Sequence, residues 1–336
     1  MTLSIFDIQK LKETKFEKGV VDMFIRESDP LKVIPIENVD TMSISTRRMS
    51  SLPQTNFWRR RGERFADAGQ PNFEVVTDTL YNVGSEINLD DADVKDKGPY
   101  IENPVEFNVK ARVKAITYDI HDKIINGDHA TNADSFEGIK KRIAGLASTQ
   151  TLYTTSKIEC RAASLATSAE AWAILNRLEE AKYALDGHGG GKVVAFTDAE
   201  VIRGIKQALR ILGLYTVPGG KDPKTSLDNV RGSSNDPVGT VWEYDGVSYL
   251  DMGTKGDQST RIVAEETNDS VLCTPIYFVR LGSPYFHLIQ YGPLDVIEPQ
   301  RLDDFVTYRG VISWYLGTRH VHNRFGVKLG GLRTGA

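Results

Sequence analysis

Apolar side chains recur every three or four positions across one stretch of the chain: Val105, Val109, Val113, Ile116, Ile120 and Ile124. This spacing predicts a long helix over 103–127 with one narrow stripe to bury against a sheet, and it turns Lys110, Arg112 and Lys114 away from that stripe. Both ends are marked. Asn103 suits an N-cap, Pro104 the first helical position, Glu106 the capping-box position, and Gly127 the stop. Upstream, residues 3–27 read as helical in one or two pieces, with Leu11, Phe16, Val20, Val21, Phe24 and Ile25 apolar and Pro30 as the end. The stretch "LKVIPIENV" follows as an extended apolar connector.

Between these helices the period drops to two. "TMSISTRRM" alternates, "NFEVVTDTLYNVGSEINL" is rich in β-branched and aromatic residues, and Gly62, Gly69 and Pro71 mark a bend between them. The pattern predicts a two-stranded excursion over residues 41–90. Arms of about twelve to fifteen residues would reach roughly 40–50 Å. A lone hairpin is marginal in water, so this one is expected to lie on a neighbouring copy.

Residues 136–160 read as irregular and strand-containing. Thr167 and Glu170 then form a capping box ahead of Trp172, Leu175, Leu178, Ala181 and Leu185. The strand "KVVAFT" leads to Asp198, which caps a helix carrying Val201, Ile202, Ile205, Leu209 and Leu212 and stopped by Gly213. The polar loop 215–238 is long enough to be an interaction surface. "VWEYDGVSYLDMG" predicts a hairpin with Asp245-Gly246 in a type I′ turn, and from 271 the chain reads as nearly all strand. The class is α+β, in two domains or one with an excursion.

Composition narrows the function. Hydrophobic residues at 40% and charged residues at 26% suit a globular chain with a real core, and a net charge of −4 leaves no basic excess for neutralising phosphates. Cys160 and Cys273 lack CxxC spacing, residues 1–10 are too polar for a secretory leader, and no apolar run is long enough to span a membrane. No cofactor or metal is expected. In "DGHGGGKV" Asp186 and Val193 stand where a phosphate loop needs Gly and a hydroxyl. His320 and His322 would share a strand face without a third ligand, while His121 and His129 sit near a helix end where the dipole favours a cation. No nucleophile elbow, HExxH or GxGxxG is present, and the chain reads as a non-enzyme. The cluster Phe57, Trp58, Arg59, Arg60, Arg61, Glu63 and Arg64 mixes aromatic, basic and acidic groups. It is expected to make inter-subunit contacts in preference to stacking nucleic-acid bases.

The order of parts resembles that of tailed-bacteriophage major capsid proteins with the Hong Kong 97-type fold. Local sequence is similar too, in "KGVVDMFIRESDPLKVIPIENV", "LPQTNFWRRRGER", "INGDHATNADSFEGIKKRI", "TPIYFVRLG" and "ISWYLGTRHVHNRFGVKLGGL". The resemblance implies an N-terminal arm at 1–42, an E-loop at 43–92, and a P-domain at 93–164 with its spine helix at 103–127. It further implies an A-domain at 165–260, then P-domain strands at 261–336 that partly return to it. It implies an icosahedral shell enclosing double-stranded DNA without sequence-specific binding, built from pentamers and hexamers, with a portal protein as partner. The host bacterial cytoplasm would be the place of assembly and the virion the destination; an encapsulin-type compartment around a cargo enzyme is the alternative. The arm resemblance begins within the first twenty residues, so a separate scaffolding protein is expected. Residues 43–90 contain no Lys, so non-covalent stabilisation is expected in place of the family's lysine cross-link.

Overall fold

The helical stripes are buried at most of their described positions, Trp172 being an exception at 52% exposed, while the side chains of Leu11, Ile25 and Val105 lie outside the described ones. The computed structural model describes residues 2–3, 5, 7, 15–51, 58–64, 70, 72–95, 104–146, 148–185, 191–214, 242–268, 270–303 and 306–334. Helix α1 (Lys15–Glu27) buries Val20, Val21 and Phe24. It ends before Pro30, which instead opens helix α2 (Asp29–Val33) in its first turn. Pro lacks an N–H to donate, so that turn is where a helix tolerates it; Ser28 caps it by accepting from the Leu31 N–H at 3.2 Å. After the short helix α3 (Asp91–Lys95), the long helix α4 (Pro104–Asn126) buries Val109, Val113, Ile116, Ile120 and Ile124. Asn103, its expected cap, lies outside the described residues.

Strands β1 (Thr2–Leu3), β2 (Ile36–Asn38), β5 (Tyr81–Asp90), β14 (His287–Gln290), β15 (Asp295–Arg301) and β16 (Thr307–Arg319) form one sheet. β16 carries β14 and β15 along one edge and β5 along the other. Strands β3 (Ser43–Ser51) and β4 (Asn72–Thr79) form a separate two-stranded ribbon. A second sheet has the order β6 (Thr151–Leu152), β17 (Gly326–Leu329), β13 (Ile276–Leu281), β8 (Lys192–Thr197), β10 (Val247–Asp251), β9 (Trp242–Tyr244). A small sheet joins β7 (Ile158–Glu159), β11 (Glu266–Asn268), β12 (Val271–Cys273) and β18 (Leu332–Arg333).

The second sheet is covered on both faces, which explains the unbroken apolar run "KVVAFT". Val194, Phe196, Tyr277 and Val279 belong to the core around α1 and α4. The alternate residues Ala195, Ile276 and Phe278 belong to a second core with helices α6 (Ser168–Ala184) and α7 (Ala199–Ile211). Thr167 and Glu170 make the expected capping box, and Asp198 caps α7. Asp245 and Gly246 both have positive φ, at 51° and 72°, as the type I′ turn demands.

Two expectations need correction. "FEGIKKRIAG" contains helix α5 (Ile139–Ala144), whose Ile139, Arg142 and Ile143 are buried; a helix of under two turns offers too few repeats to be read from spacing. The excursion is also shorter than residues 41–90. Its return arm divides at the buried Leu80: β4 pairs with β3, whereas all ten residues of β5 pair with β16 of the same chain. Gly84 permits that pairing, because a Cβ there would stand 2.2 Å from the Ile312 carbonyl oxygen. The ribbon proper, with nine and eight residues in its strands, spans about 30 Å before its tip.

Candidate inter-subunit surface

Period-two alternation gives the ribbon two faces of different chemistry. Ile44, Thr46, Arg48, Val76 and Asp78 point toward the body of the chain and are partly or fully buried. Ser43, Ser45, Arg47, Phe73, Val75, Thr77 and Thr79 fall on the opposite, exposed face. Phe73 and Val75 are 65% and 61% exposed. Large apolar side chains side by side on a solvated strand are the kind of surface that a partner covers.

The inward face is anchored by polar chemistry. Arg142 of α5 is buried beneath it, with NH2 donating to Asp78 Oδ1 and the Thr318 carbonyl, each at 2.8 Å. Its Nε donates to Thr318 Oγ1 at 3.0 Å and the Glu137 carbonyl at 3.1 Å, and NH1 lies 2.8 Å from His320 Nδ1. Arg48 reaches the other ring nitrogen of His320, and Arg319 donates to Thr46 Oγ1 at 3.0 Å. Burial first, and then the two flanking guanidinium groups, push the His320 pKa down to about 2, so the ring is neutral. At the base, the Leu80 N–H donates to the Met42 carbonyl at 2.9 Å and closes the ribbon.

Of the expected contact residues, Trp58, Arg59, Arg60, Arg61, Glu63 and Arg64 are all exposed, and Phe57 lies outside the described residues. A turn organises them. The Glu63 N–H donates to the Arg60 carbonyl at 3.1 Å, Arg59 NH1 donates to the Glu63 carbonyl at 3.1 Å, and Gly62 takes φ 91°. Trp58 is 88% exposed. The tip therefore presents an aromatic and cationic surface at the far end of the ribbon from Asp78 and Arg142.

The anchor residues went unread in the sequence. Asp78, Arg142 and Thr318 are separated by 64 and 176 residues, and no spacing rule links side chains that far apart. The histidines also differ from expectation. β16 ends at Arg319, His320 is buried between guanidinium groups and His322 is exposed, so the two share no strand face. His121 is no cation at a helix end: burial lowers its pKa to about 4, and its Nε2 is hydrogen-bonded to the Ser28 hydroxyl.

Among the described residues, no group of three or more His, Cys, Asp and Glu side chains is placed to hold a metal. No described helix is long and apolar enough to cross a membrane. Cys160 and Cys273 are free and buried, and burial pushes the Cys160 thiol up to about 12, which suppresses it as a nucleophile. The "DGHGGG" turn and the 215–238 loop fall outside the described residues.

Comparison with solved structures decides the fold. The capsid of the native GTA particle superposes with a TM-score of 0.55 at 11% identity, covering 89% of this chain and 88% of that one. The capsid of Myoviridae phage XM1 gives 0.53 at 12% identity, over 87% and 86%. The fold is Hong Kong 97-type. The holo-SrpI encapsulin complex from Synechococcus elongatus also matches, with a TM-score of 0.55 at 11% identity, over 99% and 97%. No protein-family model and no curated protein matches the sequence. At such low identity the Hong Kong 97-type likeness describes architecture, and the use of that architecture has to be argued from the surfaces.

Proposed function

We propose that this chain is the major capsid protein of a tailed phage or prophage and self-assembles into an icosahedral shell around double-stranded DNA. The observation that carries the reading is the ribbon, which has an anchored inner face, an outward face with Phe73 and Val75 uncovered, and a cationic tip. Nothing in a single copy covers that outward face among the described residues. A neighbouring copy would.

In this reading the ribbon is the E-loop, α4 is the spine helix of the P-domain, and the doubly covered second sheet with α6 and α7 forms most of the A-domain. Head-to-tail contacts of one subunit on the next close into five- and six-membered rings. Individually modest contacts then sum through repetition. The work is mechanical, with no catalytic step and no cofactor. Partners are other copies, a portal protein and a separate scaffolding protein, with assembly in the host bacterial cytoplasm and the virion as destination. DNA is enclosed without sequence readout, consistent with a net charge of −4. Residues 43–90 contain no Lys, so the shell is held non-covalently at the ribbon.

The near-complete overlap with the SrpI encapsulin favours one second reading, a compartment around a cargo enzyme. Both readings are tested by negative-stain microscopy of the overexpressed chain. Uniform shells or ring-shaped capsomers are expected, and isolated small particles at high concentration would sink both. The contents of purified particles, DNA or a single enzyme, distinguish them.

A further inference from the structure

We propose that copies of this chain dock helix on helix, the outer row of α6 in one copy seated on the outer row of α7 in a second. The proposal rests on the reading of the chain as a self-assembling subunit, and it names one pair of surfaces by which copies meet.

Helices α6 and α7 bury one side each in the same core, over one face of the second sheet. Their outer rows differ in chemistry. On α6 the row runs Trp172, Asn176, Glu179 and Tyr183, spaced at i, i+4, i+7 and i+11 and all exposed. Trp172 and Tyr183 are 52% and 75% exposed, and at 1.5 Å per residue they stand about 16 Å apart along one face. Ile174, Leu175, Leu178 and Ala181 already fill the inner side of the helix, so a single copy makes no use of those two rings. On α7 the row runs Arg203, Lys206 and Arg210, at i, i+3 and i+7.

Charge decides which faces meet. Glu200 is the one acid of α7 against three bases, so pairing Arg203 with Glu200 at 2.9 Å still leaves this helix positive. Lys206 lies 5.6 Å from the Trp242 ring centroid, a contact that leaves its charge intact. In α6, Glu170, Glu179 and Glu180 outnumber the bases, of which Arg177 is buried and Lys182 pairs with Asp245. A layer with an acidic row beside a basic one is complementary to a second copy of itself. Exposed ion pairs contribute little singly. Trp172 and Tyr183 supply the anchoring area, and their faces accept Lys and Arg side chains as readily as the carboxylates do.

The test uses the purified full-length chain in sedimentation velocity. Asn176→Lys with Glu179→Lys sets base against base, and Arg203→Glu with Lys206→Glu sets acid against acid. Each double variant alone is expected to associate at least tenfold more weakly than the wild type, with an unaltered circular dichroism spectrum, because none of the four side chains belongs to a core. An equimolar mixture of the two is expected to recover wild-type association, since every α6 row then finds an α7 row of opposite charge. Wild-type association by either variant alone, or no recovery in the mixture, overturns the inference and leaves self-assembly in place. A wild-type chain that stays monomeric at every concentration overturns both. Should a variant unfold, wild-type particles decide the question. In particles of mixed nitrogen-15-labelled and unlabelled chains, carbodiimide coupling is expected to join Glu179 or Glu180 to Lys206 of a second copy, giving a joined peptide labelled on one side only. Absence of that peptide from assembled particles overturns the inference.

Discussion

Replacing Asp78 with Ala should release the ribbon from the body before anything else fails. Asp78 and Arg142 are 2.8 Å apart, with side chains only 2% and 4% exposed. The truncation leaves a guanidinium buried beside neutral groups: the carbonyls of Thr318 and Glu137, Thr318 Oγ1 and the His320 ring. These hold its geometry but bring no negative charge. Removing one member of a buried pair costs about 3–5 kcal/mol, whereas an exposed pair such as Arg203–Glu200 contributes about 0–1 kcal/mol. At about 1.4 kcal/mol per tenfold, a 3 kcal/mol loss shifts the docking equilibrium by roughly a hundredfold. A released hairpin is marginal in water. Backbone amides in 43–51 and 72–79 should therefore exchange roughly a hundredfold faster with deuterium, while those in β13 and β16 change much less. Adding Arg142→Met removes the orphaned charge, so the double variant should recover about 1–3 kcal/mol relative to the sum of the singles. Less than a tenfold change in ribbon exchange, or single-variant effects that simply add, would refute the anchoring argument.

Acid should destabilise the fold through His121. Its pKa is about 4 when folded and about 6.5 when unfolded, so its contribution is complete above pH 6.5 and is lost as pH falls toward 4. The loss at pH 5 is about 2 kcal/mol, and His121→Asn should reduce the pH 7 to pH 5 difference in urea stability by that amount; an unchanged difference counts against it. Gly204→Ala would place a Cβ 1.9 Å from the Cys160 carbonyl oxygen and should cost about 3 kcal/mol, read as a lower thermal midpoint; wild-type stability would show that α7 has room to move. Replacing Phe73 and Val75 with Ser should leave the unassembled chain within about 0.5 kcal/mol of wild type, because both are exposed there, but should impair particle formation. Changing Arg59, Arg60 and Arg61 together to Ala should likewise impair assembly with an unaltered circular dichroism spectrum. Loss of fold would assign these residues a different role.

Much of the secondary structure was legible because local rules govern it. The stripe from Val109 to Ile124, the Thr167–Glu170 box, the Asp198 cap and the Asp245-Gly246 turn each depend on residues within a few positions of one another. Pro30 was misread because proline ends one helix and opens another with equal ease. The return arm was misread because 72–79 and 81–90 are equally strand-like. Which partner each takes depends on β3 and β16, and β16 lies more than two hundred residues away in sequence.

By itself, then, the amino-acid sequence determined the long helices, the Asp245-Gly246 turn, the α+β class and the charged tip at 58–64, since each follows from short-range periodicity, capping or composition. Only the tertiary structure decided where the excursion ends, which ribbon face is left uncovered, and that Asp78, Arg142, His320 and Arg48 meet beneath it. The physical reason is reach: a backbone pattern is set by neighbours in the chain. A buried ion pair is set by elements that approach only after loops of sixty to two hundred and seventy residues have closed.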